Sequence, residues 1–424
     1  MGGSPRIVVS PGQELPGLDW AGELASLTEA WPYSGPTWLA ATEKALPALR
    51  PWHTIATRAR GELALAAGYL LDAPPSADLD PRTYLGGAAS GAGACCGPQD
   101  GASDGGCGTL DPGLLFPALL LGSPLGYRTE VAYNFWTPAL MGAITSALVP
   151  AAFEAGARSV LAPWIPGRRG NQALVDALTA AGGHAAFWGY EDFISLDAGG
   201  WDEHLAALPP KKRRRVQEDL RRTTEAGVAI GRADGPAIRP HVARIAELTS
   251  LNREKNGAGE DPAHIAALLT ALLDGGADVR AYLGRRDGTL VASCVTIRKN
   301  HRLHVKWPGF DYAAIGERSG VYFALVLDAP VRDAYAEGLR TVEFGAGAHQ
   351  AKALRGARPR AVTTAMIVAD PALAQQAKGW MDGFGRARHA AFGDAGAGSQ
   401  DDNGSPVAAL AGTAAGAGAC CGNG

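Results

Sequence analysis

The stretch from Thr341 to Pro359 reads TVEFGAGAHQAKALRGARP. Val342 and Phe344 alternate with other residue types as on a strand, and the run ends in Gly345-Ala346-Gly347. Three cations follow: Lys352, Arg355 and Arg358. Glycines let backbone N–H groups approach an anion with no Cβ in the way. Lysine and arginine there would give charge-assisted hydrogen bonds to a phosphate or to a developing oxyanion. A strand, a glycine turn and Lys-x-x-Arg-Gly therefore make Gly345, Gly347, Lys352, Arg355 and Arg358 the candidate binding site for a phosphate-bearing donor. The plainer alternative is a surface loop whose cations pair with Glu343 or Asp311. His349 is a candidate base, since histidine titrates near neutral pH; the alternative is an exposed loop histidine. Asp311, beyond Trp307-Pro308-Gly309, either orients an acceptor amine or caps a turn.

Outward from this stretch the chain alternates strand-like and helix-like runs. Thr54–Thr57 and Leu63–Leu71 read as a hairpin around Arg60-Gly61-Glu62. A helix over Gly22–Leu46, broken near Pro32 and Pro36, precedes them. Strands are expected at Thr129–Tyr133, Ser159–Pro163, Phe193–Leu196, Val228–Arg232, Val279–Arg285, Thr289–Arg298, Arg302–Trp307 and Ala361–Val368. Helices are expected at Pro138–Gly156, Gln172–Ala181, Pro210–Glu225, across His241–Leu273, at Gly320–Gly338 and at Ala372–Arg388. This is an α/β pattern. A chain of 424 residues is too long for one ordinary core, so two domains and tails are expected. Residues 1–20 read as an N-terminal extension and 21–190 as a first domain with a Gly/Cys-rich loop at 72–112. Residues 191–392 read as a second domain carrying the donor motif. Residues 393–424 hold no aromatic residue, lysine or arginine and read as a disordered tail ending in CCGNG.

Leu208–Gly227, LPPKKRRRVQEDLRRTTEAG, is the most basic segment, with seven cations and two acids between Lys211 and Arg222. At helical spacing Lys211, Arg215 and Arg222 share a face, above a stripe of Val216 and Leu220. Such a face is a solvated helix, a phosphate-binding surface or, from PKKRRRV, a nuclear-import cluster.

The quoted motifs resemble a known family. EFGAGAHQAKALRGARP is similar to the E-x-G-x-G-x-x-x-x-K-x-x-R-G-x-x-P signature of FemAB-like, peptidoglycan biosynthesis/recognition proteins of the GNAT acyltransferase superfamily. Trp31-Pro32-Tyr33-Ser34 with Trp38-Leu39 and Glu43, the basic segment, and Pro308-Gly309-Phe310-Asp311-Tyr312 resemble three further family segments in the expected order. The family's aromatic after Arg-Gly and its later histidine are here Ala357 and Met366. The resemblance implies an α/β (α+β) fold of tandem GNAT-like domains, each a mixed, largely antiparallel sheet flanked by helices. It implies an amide-forming acyl or aminoacyl transfer to an amine of a cell-wall precursor or peptide-like natural product. The Lys352 and Arg355 motif would hold the donor, with Lys211, Arg215 and Arg222 assisting. No Q/R-x-x-G-x-G/A pyrophosphate loop follows the Thr289 strand, Arg318-Ser319-Gly320 being a remnant; that favours aminoacyl-tRNA over acyl-CoA as co-substrate. No tightly bound cofactor is expected.

Net charge is −3, so global electrostatics do not favour DNA. No run of 18 apolar residues suggests a membrane span and no secretory h-region opens the chain, so a cytoplasmic location is expected. Six cysteines are present. Cys294 lies in an apolar strand. Cys95, Cys96 and Cys107, with Cys420 and Cys421, sit in or near two copies of GAGACCG. Adjacent cysteines, with Cα atoms about 3.8 Å apart, are too close for an unstrained disulfide and lack the spacing of zinc sites. No metal is expected. The repeats leave three readings open: a flexible insertion, a redox or metal pair, or a tail that mimics a substrate. A non-catalytic peptide-recognition protein and a thiol redox or metal-handling protein are the alternatives to the transferase.

Overall fold

The computed structural model describes residues 7–14, 31–58, 61–74, 111–135, 137–256, 261–316 and 318–392. The Gly/Cys-rich loop beyond residue 74, the tail from 393, and with them Cys95, Cys96, Cys107, Cys420 and Cys421, lie outside these residues, as do residues 22–30 of the expected first helix. What is described of that helix is a 3₁₀ turn at Pro32–Ser34 and an α-helix at Pro36–Ala45.

Among the described residues the strands form two sheets. The smaller joins β1 (Ile7–Gln13), β3 (His53–Arg58), β4 (Glu62–Ala66) and β7 (Val131–Tyr133). The larger runs β10-β11-β12-β13-β14-β9-β15-β8-β6-β5-β2. Here β2 is Arg50–Pro51, β5 Gly68–Leu71, β6 Ala118–Leu121, β8 Ser159–Pro166 and β9 His184–Ser195. The rest are β10 (Ala229–Asp234), β11 (Val279–Arg286), β12 (Thr289–Lys299), β13 (Arg302–Phe310), β14 (Thr341–Ala346) and β15 (Arg358–Val368). The strands β10 to β13 form an antiparallel meander. The helical crossover Phe323–Ala336 then returns the chain to lay β14 parallel to β13, as a parallel pair requires. The fold is thus mixed α/β, largely antiparallel and flanked by helices.

The middle of the sheet is interleaved. β9 lies between β14 and β15, and β15 lies between β9 and β8. Each half of the chain therefore contributes a strand to the other's side, and the expected boundary between residues 190 and 191 falls inside β9.

Helix starts follow local chemistry. Thr137 caps Pro138–Glu154, its Oγ1 accepting from the Leu140 amide at 3.2 Å, and Pro138 occupies the first turn where its missing N–H costs nothing. Asp261 caps Pro262–Asp274 in the same way. β8 is apolar after Ser159 and buried at every position, as for a strand covered on both faces. Helices Pro138–Glu154 and Arg169–Ala180 cover one face of this region, and Pro371–Phe392 covers the other. Around β11 to β13, helices Val242–Lys255 and Pro262–Asp274 pack on one face and the Phe323–Ala336 crossover on the other.

Candidate active site

The site begins where two parallel strands part. β13 and β14 pair only at Arg302–Thr341, Leu303–Val342 and His304–Glu343. Beyond these three positions they diverge. β13 also carries an extra residue, Lys306, between its pairs with β12 (Thr296 to Val305, Val295 to Trp307). Bulges of this kind re-aim backbone and side chains next to sites. The gap opens into a cleft of about 760 Å³. Its walls are aromatic, with Tyr33, Tyr127, Trp164, Trp188, Trp307 and Phe344. Arg128, Glu191, His304 and Glu343 are its charged and polar floor.

A second hollow of about 360 Å³ adjoins it, lined by three arginines and one carboxylate, Arg215, Arg222, Arg318 and Asp219, with Ser319 and Gly320. Tyr312 and Tyr322 line both spaces. Gly320 must be glycine: its φ is +77°, and a Cβ would meet the Asp219 carbonyl oxygen at 2.2 Å. That close approach docks the crossover on the basic helix Pro210–Glu225 and brings Arg215 and Arg222 beside Arg318.

The residues singled out in the sequence are placed as follows. Gly345 (φ +66°) and Gly347 (φ +76°) line the cleft, in backbone conformations that favour glycine. Lys352 also lines it but is 3% exposed. Its ammonium donates to the Gly345 carbonyl at 2.8 Å and the Ala346 carbonyl at 3.1 Å, and pairs with Asp192 at 3.3 Å. An ammonium has three donors, so these contacts use them all. Burial pushes its pKa down, partly offset by Asp192. Lys352 therefore clamps the glycine turn, and the expected donor-phosphate contact is corrected to that role.

Arg355 is corrected in the same sense. It is buried, with Nε and Nη2 on the Asp328 carboxylate (2.8 and 3.1 Å) and Nη2 also 3.1 Å from Asp219. It ties the basic helix to the crossover and lines neither space. Arg358 donates to the Ser195 hydroxyl at 2.5 Å and stands apart from both spaces. Asp311 is a cap: Oδ1 accepts from the Ala314 amide at 3.0 Å and Oδ2 from Arg244 at 3.3 Å. The strand β13 continues through Pro308 and Gly309 where a turn was expected. His349 holds Asp192 through Nδ1 at 2.7 Å and lines neither space. Neither Glu343 nor Asp311 pairs with Lys352 or Arg355, so the surface-loop alternative also gives way to buried partners. Of the basic helix, Lys211 is exposed and outside both spaces, while Arg215 and Arg222 line the second. Arg215 pairs with Asp219 and Arg222 with Glu218. The buried stripe is Val216, Asp219 and Thr223, with Leu220 half-buried.

The cleft floor was not foreseen. Arg128 pairs with Glu191, Arg360 with Glu191 (2.6 Å) and Glu343 (3.0 Å), and Arg168 with Glu343 (3.0 Å). Trp31 lies under Arg168, Arg128 and Arg302. Burial alone would raise the Glu343 carboxyl, but Arg360, Arg168 and Arg128 hold it down at about 2. The signal available in the sequence was the recurrence of charges inside β9 and β15, strands otherwise apolar.

Among the described residues no group of histidine, cysteine and acidic side chains is arranged to hold a metal, and no helix is long and apolar enough to cross a membrane. Cys294 is buried, and burial pushes its thiol up.

Residues 210–353 match the acetyltransferase (GNAT) domain family. The segment runs from the basic helix to Ala353 and so contains the parting strands, the second hollow and Lys352. No curated protein sequence matches the chain. Among solved structures, FemX is similar at 11% identity over 87% of this chain and 100% of its own, with a TM-score of 0.56. A tandem GNAT protein from the clavulanic acid biosynthesis pathway aligns at 12% identity over 86% of this chain and 99% of its own, TM-score 0.46. L-PGS from Bacillus licheniformis aligns at 11% over 62% of this chain and 82% of its own, TM-score 0.43. Residues 210–353 are therefore similar to an acetyltransferase (GNAT) domain, and the chain as a whole shares the fold of FemX.

Proposed function

We propose that the protein forms amides by moving an acyl or aminoacyl group from a phosphate-bearing donor, acyl-CoA or aminoacyl-tRNA, to an amine of a peptide-like acceptor such as a cell-wall precursor. One observation carries this reading: a basic hollow and an aromatic cleft meet at Tyr312 and Tyr322, where β13 and β14 part. The donor's phosphate lies in the hollow, against Arg215, Arg222 and Arg318, and its acyl end reaches the junction. The acceptor occupies the cleft.

The reaction needs the neutral amine nitrogen to attack the acyl carbon, the resulting oxyanion to be held, the leaving sulfur or oxygen to take a proton, and the nitrogen to lose one, which restores the acid that protonated the leaving atom. Beyond His304, the β14-facing backbone of β13 has no ladder partner, which leaves N–H groups near the junction for the oxyanion. Of the two junction tyrosines, Tyr312 donates to Asn252 at 3.3 Å with Lys255 over its ring. The Tyr322 hydroxyl makes no hydrogen bond to another described residue, and burial keeps it protonated. Tyr322 is the group placed to protonate the leaving atom. Transfer to an amine panel from labelled acyl-CoA and aminoacyl-tRNA tests this. Tyr322→Phe is expected to lower kcat about 100-fold with donor affinity unchanged; unchanged turnover would remove Tyr322 from the reaction, and no transfer from either donor would remove the function.

A further inference from the structure

Among the described residues, five other than glycine have a positive φ: Tyr127, Trp164, Asp287, Asn300 and Ala348. Asp287 and Asn300 sit in the two-residue hairpin loops that join β11 to β12 and β12 to β13, where such side chains are at home. The other three, Tyr127 and Trp164 at +52° and Ala348 at +49°, all line the cleft. A left-handed backbone is unfavourable for any residue with a Cβ and a marked outlier for a bulky ring. Such residues gather where a ligand is held.

Local packing holds both rings in place. Trp164 stands at a bulge: between the pairs Thr363–Ile165 and Ala365–Ala162, β8 has Pro163 and Trp164 against Thr364 alone. A left-handed residue at a bulge is usually glycine; here it is tryptophan. In the turn closed by the Ser123–Arg128 bridge, Gly126 could take a positive φ freely. It is packed against Tyr33 instead, where a Cβ would stand 2.8 Å from the Tyr33 Cβ, and the positive φ falls on Tyr127.

The two rings meet edge to face, with centroids 5.5 Å apart, and Trp188 continues the wall at 6.3 Å from Trp164. These spacings leave no room for a ring between them, so the three form one corner that a ring can cover from the cleft side. Eight residues lining the cleft are aromatic and only three are valines, so its apolar surface is ring more than branched chain. His304 adds to it: buried edge-on to Trp31 and Tyr33, it is kept neutral by burial and then by Arg128, Arg168, Arg302 and Arg360. The Tyr127 ring already has Lys306 Nζ at 4.5 Å and the Arg253 guanidinium at 5.5 Å, which disfavours a cationic occupant.

We propose that the corner of Tyr127, Trp164 and Trp188 binds an aromatic side chain of the acceptor. The acceptor class is then an aromatic amino acid derivative or a peptide that carries one. The proposal rests on reading the cleft as the acceptor side.

Calorimetric titration of the full chain with phenylalaninamide, cyclohexylalaninamide and alaninamide tests it. The three share one amine and one amide; the second keeps the bulk of the ring without its π-system, and the third has neither. The wild type is expected to bind phenylalaninamide at least about tenfold more tightly than alaninamide, and about threefold more tightly than the cyclohexyl analogue. Trp188→Leu, at a half-buried position, and Tyr127→Gly, which removes a ring and relieves the positive φ, should each lower the phenyl-to-cyclohexyl ratio, with folding checked by the thermal transition. A cyclohexyl analogue that binds as well or better, equal affinities for phenylalaninamide and alaninamide, no binding of any probe, or an unchanged ratio in both variants would overturn the assignment. Binding is read without a donor, so failure of acyl transfer would count against the reaction and leave these ratios standing.

Discussion

Glu343 and Glu130 face the same arginines with opposite consequences. Glu343 is hydrogen-bonded by two of them and its carboxyl is depressed from 4.5 to about 2. A depressed carboxyl stabilises the fold above its unfolded value, and that contribution fades as pH falls from about 4.5 toward 2. Glu343→Gln should therefore cost about 3–5 kcal/mol near neutral pH, the effect of breaking a buried pair, and flatten the acid limb. Glu130 is raised, so its ionisation opposes folding as pH rises. Glu130→Gln should cost less than about 1 kcal/mol or stabilise the chain. Urea denaturation at neutral and acid pH compares the two; equal losses would contradict the placement. At this scale the sequence was only partly legible. A Lys-x-x-Arg motif shows which cations are present but not which carboxylates they meet. Arg355 finds Asp219 and Asp328, and Lys352 finds Asp192, through folding alone. Apart from Arg302 on its own strand, His304 gave no local signal, because its character comes from burial and from Arg128, Arg168 and Arg360 on other segments.

Among the elements, the joint between the basic helix and the crossover matters most. Gly320→Ala would force a Cβ into the Asp219 carbonyl and require a positive φ. A loss of more than about 3 kcal/mol is expected from strain and displacement together, with weakened donor binding as Arg215 and Arg222 shift. Gly345→Ala meets open space at Cβ, so only its φ of +66° is unfavourable and roughly 1–2 kcal/mol is expected. The reverse ranking in denaturation would contradict the packing. Most elements were readable from period and caps: the basic helix was expected at Pro210–Glu225 and is found there. β9 was largely missed. Its charges, Glu191 and Asp192, are core residues made tolerable by Arg128, Arg360, Lys352 and His349, partners the local pattern does not reveal.

Over the whole molecule, the α/β alternation announced the fold class, but not the exchange of β9 and β15. Which strand lies beside which is set by long-range pairing, and local sequence does not encode it. A fragment of residues 191–392 would split β9 and strip β8 from β15. It should show no cooperative urea transition, whereas an independent fold would unfold cooperatively. The central claim is that Arg215, Arg222 and Arg318 receive the donor's phosphate beside the tyrosine junction. Equilibrium binding of CoA and of deacylated tRNA to the wild type and to an Arg222→Ala, Arg318→Ala double variant tests it most directly. At least one ligand should bind, and the variant should weaken it at least about tenfold. Binding of neither ligand, or binding untouched by the substitutions, would contradict it.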